Sequence, residues 1–147
     1  LFVPLLSCCL AAAAPAGADE RVLAAREALR NGDHARLERL AGELRGHDLA
    51  PWVDYWRLVA GLPDRFDVAA ARDFLVRHDG SYVAEKLRGD WLKALGKAQR
   101  WSEFDAEFGK LVTPDQELTC YALQSRRARG DASMLDAAAP LWLSLIE

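Results

Sequence analysis

Ser81-Tyr82-Val83-Ala84-Glu85-Lys86-Leu87-Arg88-Gly89-Asp90-Trp91-Leu92-Lys93-Ala94-Leu95-Gly96-Lys97 decides the fold class. Its large apolar residues Leu87, Trp91 and Leu95, with Ala84 before them, recur every three or four positions. That spacing puts them on one stripe of an α-helix. Ser81 has the hydroxyl expected of an N-cap, and Glu85 sits in the first turn, where the helix dipole favours a negative charge. Gly96 is placed as the left-handed residue that ends the helix.

The same period runs outward in both directions. Upstream, Leu37, Leu40 and Leu44 form one stripe, and Trp52, Trp56 and Val59 form another. Downstream come Trp101, Phe104, Phe108 and Leu111, then Leu118, Tyr121, Ala122 and Ser125, then Leu135, Ala138, Trp142 and Leu145. β-Branched residues are few, so strand propensity is low throughout. The breaks between stripes carry helix-end chemistry. Gly32 and Gly130 suit the position just past a helix, and Asp33 suits the cap of the next. Pro51 and Pro114 suit a first turn, where a missing N–H costs nothing. Thr113-Pro114-Asp115-Gln116 reads as a capping box, with Thr113 as the cap. Pro140 falls inside the last helix and is expected to kink it.

The resulting expectation is all-α, with about eight helices. Turns at Gly32, Gly61, Gly96 and Gly130 divide it into helical hairpins, and the last two intervals approach the roughly 33–34 residue period of paired-helix repeats. Each hairpin has too little apolar surface to fold alone and must be covered by its neighbour. The architecture read from this is a right-handed superhelix of stacked antiparallel helical hairpins, tetratricopeptide-like but irregular.

The first 18 residues contain no charge, and every charged residue lies after them. Leu1 to Leu10 is apolar, and Ala16-Gly17-Ala18 followed by Asp19-Glu20 fits a signal-peptidase junction. Residues 1–18 therefore read as a signal peptide truncated at its start, and residues 19–147 as an α-superhelical domain that stops within an apolar helical pattern. A transmembrane anchor is disfavoured because roughly 20 apolar residues are needed to span a bilayer. A lipoprotein signal at Leu5-Leu6-Ser7-Cys8 is disfavoured by the bulky Leu6. Signal cleavage removes Cys8 and Cys9 and leaves Cys120, read as a small buried apolar residue. The net charge of −3, with acids and bases interspersed, gives no reason to expect nucleic acid or an anionic membrane as partner.

Chemistry-bearing motifs are sparse. There is no Gly-rich phosphate loop and no nucleophile elbow. His34, His47 and His78 fall at or near helix ends without the i,i+4 partner of a helical zinc site. Glu85 is the nearest approach to a catalytic acid, but a first-turn Glu is the better reading. Tyr55, Tyr82 and Trp101 are the aromatics placed off the core stripe or at a hairpin edge, as candidates for stacking on sugar rings, with core packing the default for Trp at helical spacing. No cofactor or metal is called for.

Residues 48–144 resemble a known family. Leu49-Ala50-Pro51-Trp52-Val53-Asp54-Tyr55-Trp56-Arg57-Leu58 is similar to an extended helix of the soluble lytic murein transglycosylases. Phe74 to Arg88 resembles their next hairpin. Asp90 to Lys97 followed by Trp101 and Phe104, then Cys120-Tyr121 and Leu141-Trp142, match in order and spacing. Leu145-Ile146-Glu147 departs from the family pattern, which tends to have Gly soon after the Leu-Trp pair.

The resemblance implies a periplasmic parent enzyme that cleaves the MurNAc–GlcNAc bond of peptidoglycan and leaves a 1,6-anhydro end. Its catalytic Glu lies in a Glu-Ser motif of a C-terminal lysozyme-like domain. No Glu-Ser pair occurs in this chain, so no catalytic residue is carried over. The implied partners are glycan strands, through the parent enzyme, and the chain's own C-terminal catalytic domain. In an oxidising periplasm Cys120 is expected to find a disulfide partner beyond residue 147. The alternative is a periplasmic tetratricopeptide-like adaptor that binds proteins.

Overall fold

The computed structural model describes residues 17–143. The expected signal segment lies almost wholly outside them, as do Leu145 and the side chain of Trp142. Every regular element described is an α-helix: α1 Gly17–Arg30, α2 His34–Glu43, α3 Ala50–Val59, α4 Val68–Arg77, α5 Tyr82–Lys97, α6 Trp101–Phe108, α7 Gln116–Ala128 and α8 Met134–Leu143.

The helix ends explain where the chain turns. Gly32 has φ 67° and Gly130 φ 76°. Behind each, the last carbonyls of the helix are closed by a 6→1 and a 5→2 hydrogen bond, Asp33 N–H to Ala28 and Gly32 N–H to Leu29 in the first case, Asp131 N–H to Arg126 and Gly130 N–H to Arg127 in the second. Asp33 then caps α2 by accepting from the Arg36 amide, and Ser81 caps α5 by accepting from Ala84. Pro51 lies in the first turn of α3, and Pro140 inside α8.

Two expected helix ends are corrected. Gly96 does not end α5 but lies within it, buried. A Cβ there would stand 2.4 Å from Cγ of Tyr121, so glycine is required because α7's tyrosine ring occupies the space. The left-handed residue is Gln99, φ 57°, and the same pair of closing bonds forms around it, Arg100 N–H to Leu95 and Gln99 N–H to Gly96. Nor does Thr113 cap α7. Asp115 does, its Oδ1 accepting from the Leu118 amide at 3.0 Å while Oδ2 lies 2.6 Å from Lys93 Nζ on α5. Asp caps better than Thr, and the lysine anchors it from the neighbouring helix.

Contacts between helices follow an alternating scheme. The odd-numbered helices touch in series, α1 with α3, α3 with α5 and α5 with α7, while α2, α4 and α6 each lean on the helix that follows. α1 with α2, α5 with α6 and α7 with α8 also pack as consecutive pairs.

The interior falls into two clusters. The first joins α1 and α2 through Val22, Ala25, Ala28, Leu37, Leu40, Ala41 and Leu44, closed by Val53 of α3. The second joins α3 to α7 around Tyr55, Phe74, Leu87, Trp91, Leu92, Phe104 and Leu118. α3 is wedged between the two, which corrects its expected stripe. Val53, Tyr55 and Leu58 are its buried residues, and Trp52, Trp56 and Val59 are half-buried beside them, with Trp56 touching both clusters. The stripe of α8 is corrected as well: Leu135 is 66% exposed, because among the described residues α8 packs chiefly against α7.

Candidate functional site

The odd-helix layer carries a cleft of about 550 Å³ between α5, the α6–α7 connection and the start of α7. α5 supplies one wall through Tyr82, Glu85, Lys86, Gly89, Asp90 and Lys93. These residues recur at three- and four-residue spacing on the face opposite Leu87, Trp91 and Leu95, so the buried stripe fixes which way they point. The other wall is Leu111, Val112, Thr113, Asp115 and Leu118. Gly89, having no side chain of its own, leaves the floor of the cleft open.

At the N-terminal end of α5, Tyr82 is 73% exposed. Its ring centroid is 6.1 Å from that of Trp52, which in turn meets Tyr55 edge-on at 5.7 Å. This aromatic corner spans α3 and α5. Two of the three aromatics singled out in the sequence, Tyr55 and Tyr82, thus come together, with Trp52 between them. Only Tyr82 is freely presented. Tyr55 is buried, and its hydroxyl donates to Asp90 Oδ2 at 2.5 Å. Burial first, and then that hydrogen bond and the Asp90 charge, push the phenol well above its ordinary value, so Tyr55 remains a neutral donor. The third, Trp101, lies elsewhere, half-buried at the start of α6 against Phe104.

Asp90 is held from two sides, because Lys86 Nζ also reaches Oδ2 at 3.3 Å while lying 5.6 Å from the Tyr55 ring centroid. Farther along, Lys93 Nζ sits 2.6 Å from Asp115 and 3.0 Å from Glu117. Those two hydrogen bonds raise the Lys93 pKa, and the Lys93 contact leads the causes that lower that of Asp115. The cleft therefore runs from an aromatic corner, through a Tyr55–Asp90–Lys86 group, to a lysine clamped between two carboxylates. Apolar ring faces suit the C–H face of a sugar or an apolar side chain, and the alternating charges suit hydroxyls, amides and carboxylates.

Glu85 accepts from the Val112 amide at 3.0 Å. It ties α5 to the α6–α7 connection. His34 opens α2. His47 lies between α2 and α3, its Nδ1 accepting from Leu49 and its Nε2 3.3 Å from Asp19. His78 caps the C-terminus of α4 against the Phe74 ring. Cys120 is half-buried on α7 rather than enclosed. Among the described residues no three His, Cys, Asp or Glu side chains converge as metal ligands would, and no helix is long and apolar enough to cross a membrane.

Trp52, Lys86 and Asp90 were not singled out by sequence. The sequence period places Trp52 on a core stripe. The available signal was the Lys86/Asp90 pair at i,i+4, on the helix face opposite Leu87 and Trp91. Compared with protein-family models, curated proteins and solved structures, the chain matches none.

Proposed function

We propose that this chain is the non-catalytic superhelical part of a periplasmic peptidoglycan lytic transglycosylase, supporting a C-terminal catalytic domain and guiding glycan strands past it. The observation that carries the reading is the aromatic corner of Trp52, Tyr55 and Tyr82, whose exposed member Tyr82 lines a cleft in the odd-helix layer. Stacked hairpin arrays of the right-handed, tetratricopeptide-like kind present extended binding surfaces, and the serial contacts of α1, α3, α5 and α7 support that reading. The ordered motifs from Leu49 to Trp142 that resemble the transglycosylases point to glycan as the occupant, and the charge-free leader ahead of Asp19 points to export.

The test is co-sedimentation of the chain with purified sacculi. Retention is expected, with Tyr82→Ala weakening it about fivefold, since an aromatic stacking contact is worth about 1 kcal/mol. No anhydro-muropeptides should be released. Absence of retention overturns the reading. The mixed charges of Lys86, Asp90, Lys93 and Asp115 also suit an extended peptide, so stoichiometric capture of a protein without retention on sacculi would favour the adaptor.

A further inference from the structure

A second cavity, of about 370 Å³, lies among α4, α5 and α6 and shares no lining residue with the aromatic cleft. At its base is Glu107 of α6, 3% exposed. Three cations from three places in the fold converge on this one carboxylate. Lys110 Nζ donates to Oε1 at 3.1 Å, Arg72 of α4 stands 3.5 Å from the same oxygen, and Arg88 of α5 stands 3.8 Å from Oε2.

The arrangement is unbalanced. Arg88 is 9% exposed, and among the described residues its guanidinium meets only that distant Glu107 oxygen. Its Nε is enclosed without a hydrogen-bond partner. Buried polar groups are normally satisfied, and leaving a charged one unsatisfied costs more than a neutral one. With Asp79 at the rim, the lining holds three formal positive charges against two negative, a surplus of one. Leu75 and Val76 complete the wall, and Val76 is 78% exposed.

We infer that this cavity is a binding site for a monoanionic carboxylate attached to a small apolar group, such as the C-terminal carboxylate of a short peptide. One negative charge cancels the surplus, whereas a phosphate dianion would overshoot it. Arginine forks match the planar, bidentate geometry of a carboxylate. Leu75 and Val76 give an apolar substituent a surface to cover. The exposed Arg72 and Lys110 admit the ligand, and Arg88 receives it at depth.

The test uses the intact chain and acetyl-Ala-Ala at low ionic strength, followed by amide chemical shifts. Saturable shifts on α4 and α6, half-complete at about 1–10 mM, are expected. The C-terminally amidated probe should bind at least tenfold more weakly, and so should inorganic phosphate. Arg72→Gln and Lys110→Gln, both at exposed positions, should each weaken binding at least threefold while leaving the remaining spectrum unchanged. Equal binding by the amidated probe, tighter binding by phosphate, no saturable shift up to about 50 mM, or full binding by both variants would each overturn the assignment. Sacculi play no part in this measurement, so its failure and that of the proposed function are separate results.

Discussion

The two ends of the same helical period are filled differently. Between α1 and α2 the buried residues are alanines and aliphatics, with Val22, Ala25 and Ala28 of α1 packed with Leu37, Leu40, Ala41 and Leu44. From α3 to α7 they are large, with Tyr55, Phe74, Trp91 and Phe104 at the centre. Alanine lets two helices approach closely but removes little apolar area from water, while an aromatic side chain removes far more. The hydrophobic pattern that makes both regions helical therefore does not make them equally stable. The cleft and the Glu107 cavity both lie in the aromatic region, where the supporting helices are held hardest.

Truncation of Phe104 should have the largest effect. It is fully buried and meets Trp101, Phe108 and Tyr121. Phe104→Ala should destabilise the chain by about 3–5 kcal/mol, read as a shift in the urea midpoint. Leu37→Ala, in the alanine-rich cluster, should cost about 2–3 kcal/mol, near the low end for such changes. Amide hydrogen exchange should show that loss confined to α1 and α2. Equal loss of protection in α5 would break the comparison and make the chain one cooperative unit.

The junction of α5 and α7 sharpens it further. Gly96→Ala forces a methyl group into the Tyr121 ring and should cost about 1–3 kcal/mol, with Tyr121→Ala in the same chain removing much of the penalty. Gln99→Gly should instead stabilise by about 0.5–1 kcal/mol, because Gln99 holds a left-handed conformation that glycine adopts freely.

The smallest expected effect is that of pH on the Lys93 clamp. The Asp115 pKa is depressed in the fold, so its contribution is full above the ordinary carboxylate value of about 3.9 and fades as pH falls through the lowered one. The Lys93 pKa is raised, so its contribution is full below about 10.4 and fades as pH rises through the raised value. Stability from this clamp should be flat between those limits and largely abolished by about 1 M salt, since Asp115 and Glu117 are exposed. A pH-dependent midpoint at neutrality would remove the clamp from the account.

Sequence period placed Ala84, Leu87, Trp91 and Leu95 correctly on the buried side of α5, but α5 packs against α3, α4, α6 and α7 and so buries Val83, Arg88, Leu92 and Gly96 as well. The same period misplaced the buried stripe of α3, because a helix wedged between two clusters buries flanking residues as well. Gly32 and Gly96 look alike in a sequence, since a glycine needed for a left-handed turn and one needed for close approach leave the same letter. Only the position of Tyr121, 25 residues later, separates them. The aromatic corner was half legible. Tyr82 was read correctly as lying off the core, but Tyr55 is buried, because a partner for its hydroxyl lies 35 residues away in Asp90. Arg88 and Glu107 do carry a signal in the sequence: each is a charged residue beside an apolar stripe, next to Leu87 and between Phe104 and Phe108.

The wedge position of α3 has a mechanical consequence. Load applied at the N-terminal end meets first a pair of helices held by alanine and leucine contacts, and then a helix whose far side is rooted among aromatic rings. α1 and α2 should therefore peel away at low force as a single step, and extension should halt at α3. A tether pulling on the N-terminus would give slack before any strain reached Trp52 or Tyr82, leaving the cleft undistorted while its attachment lengthens.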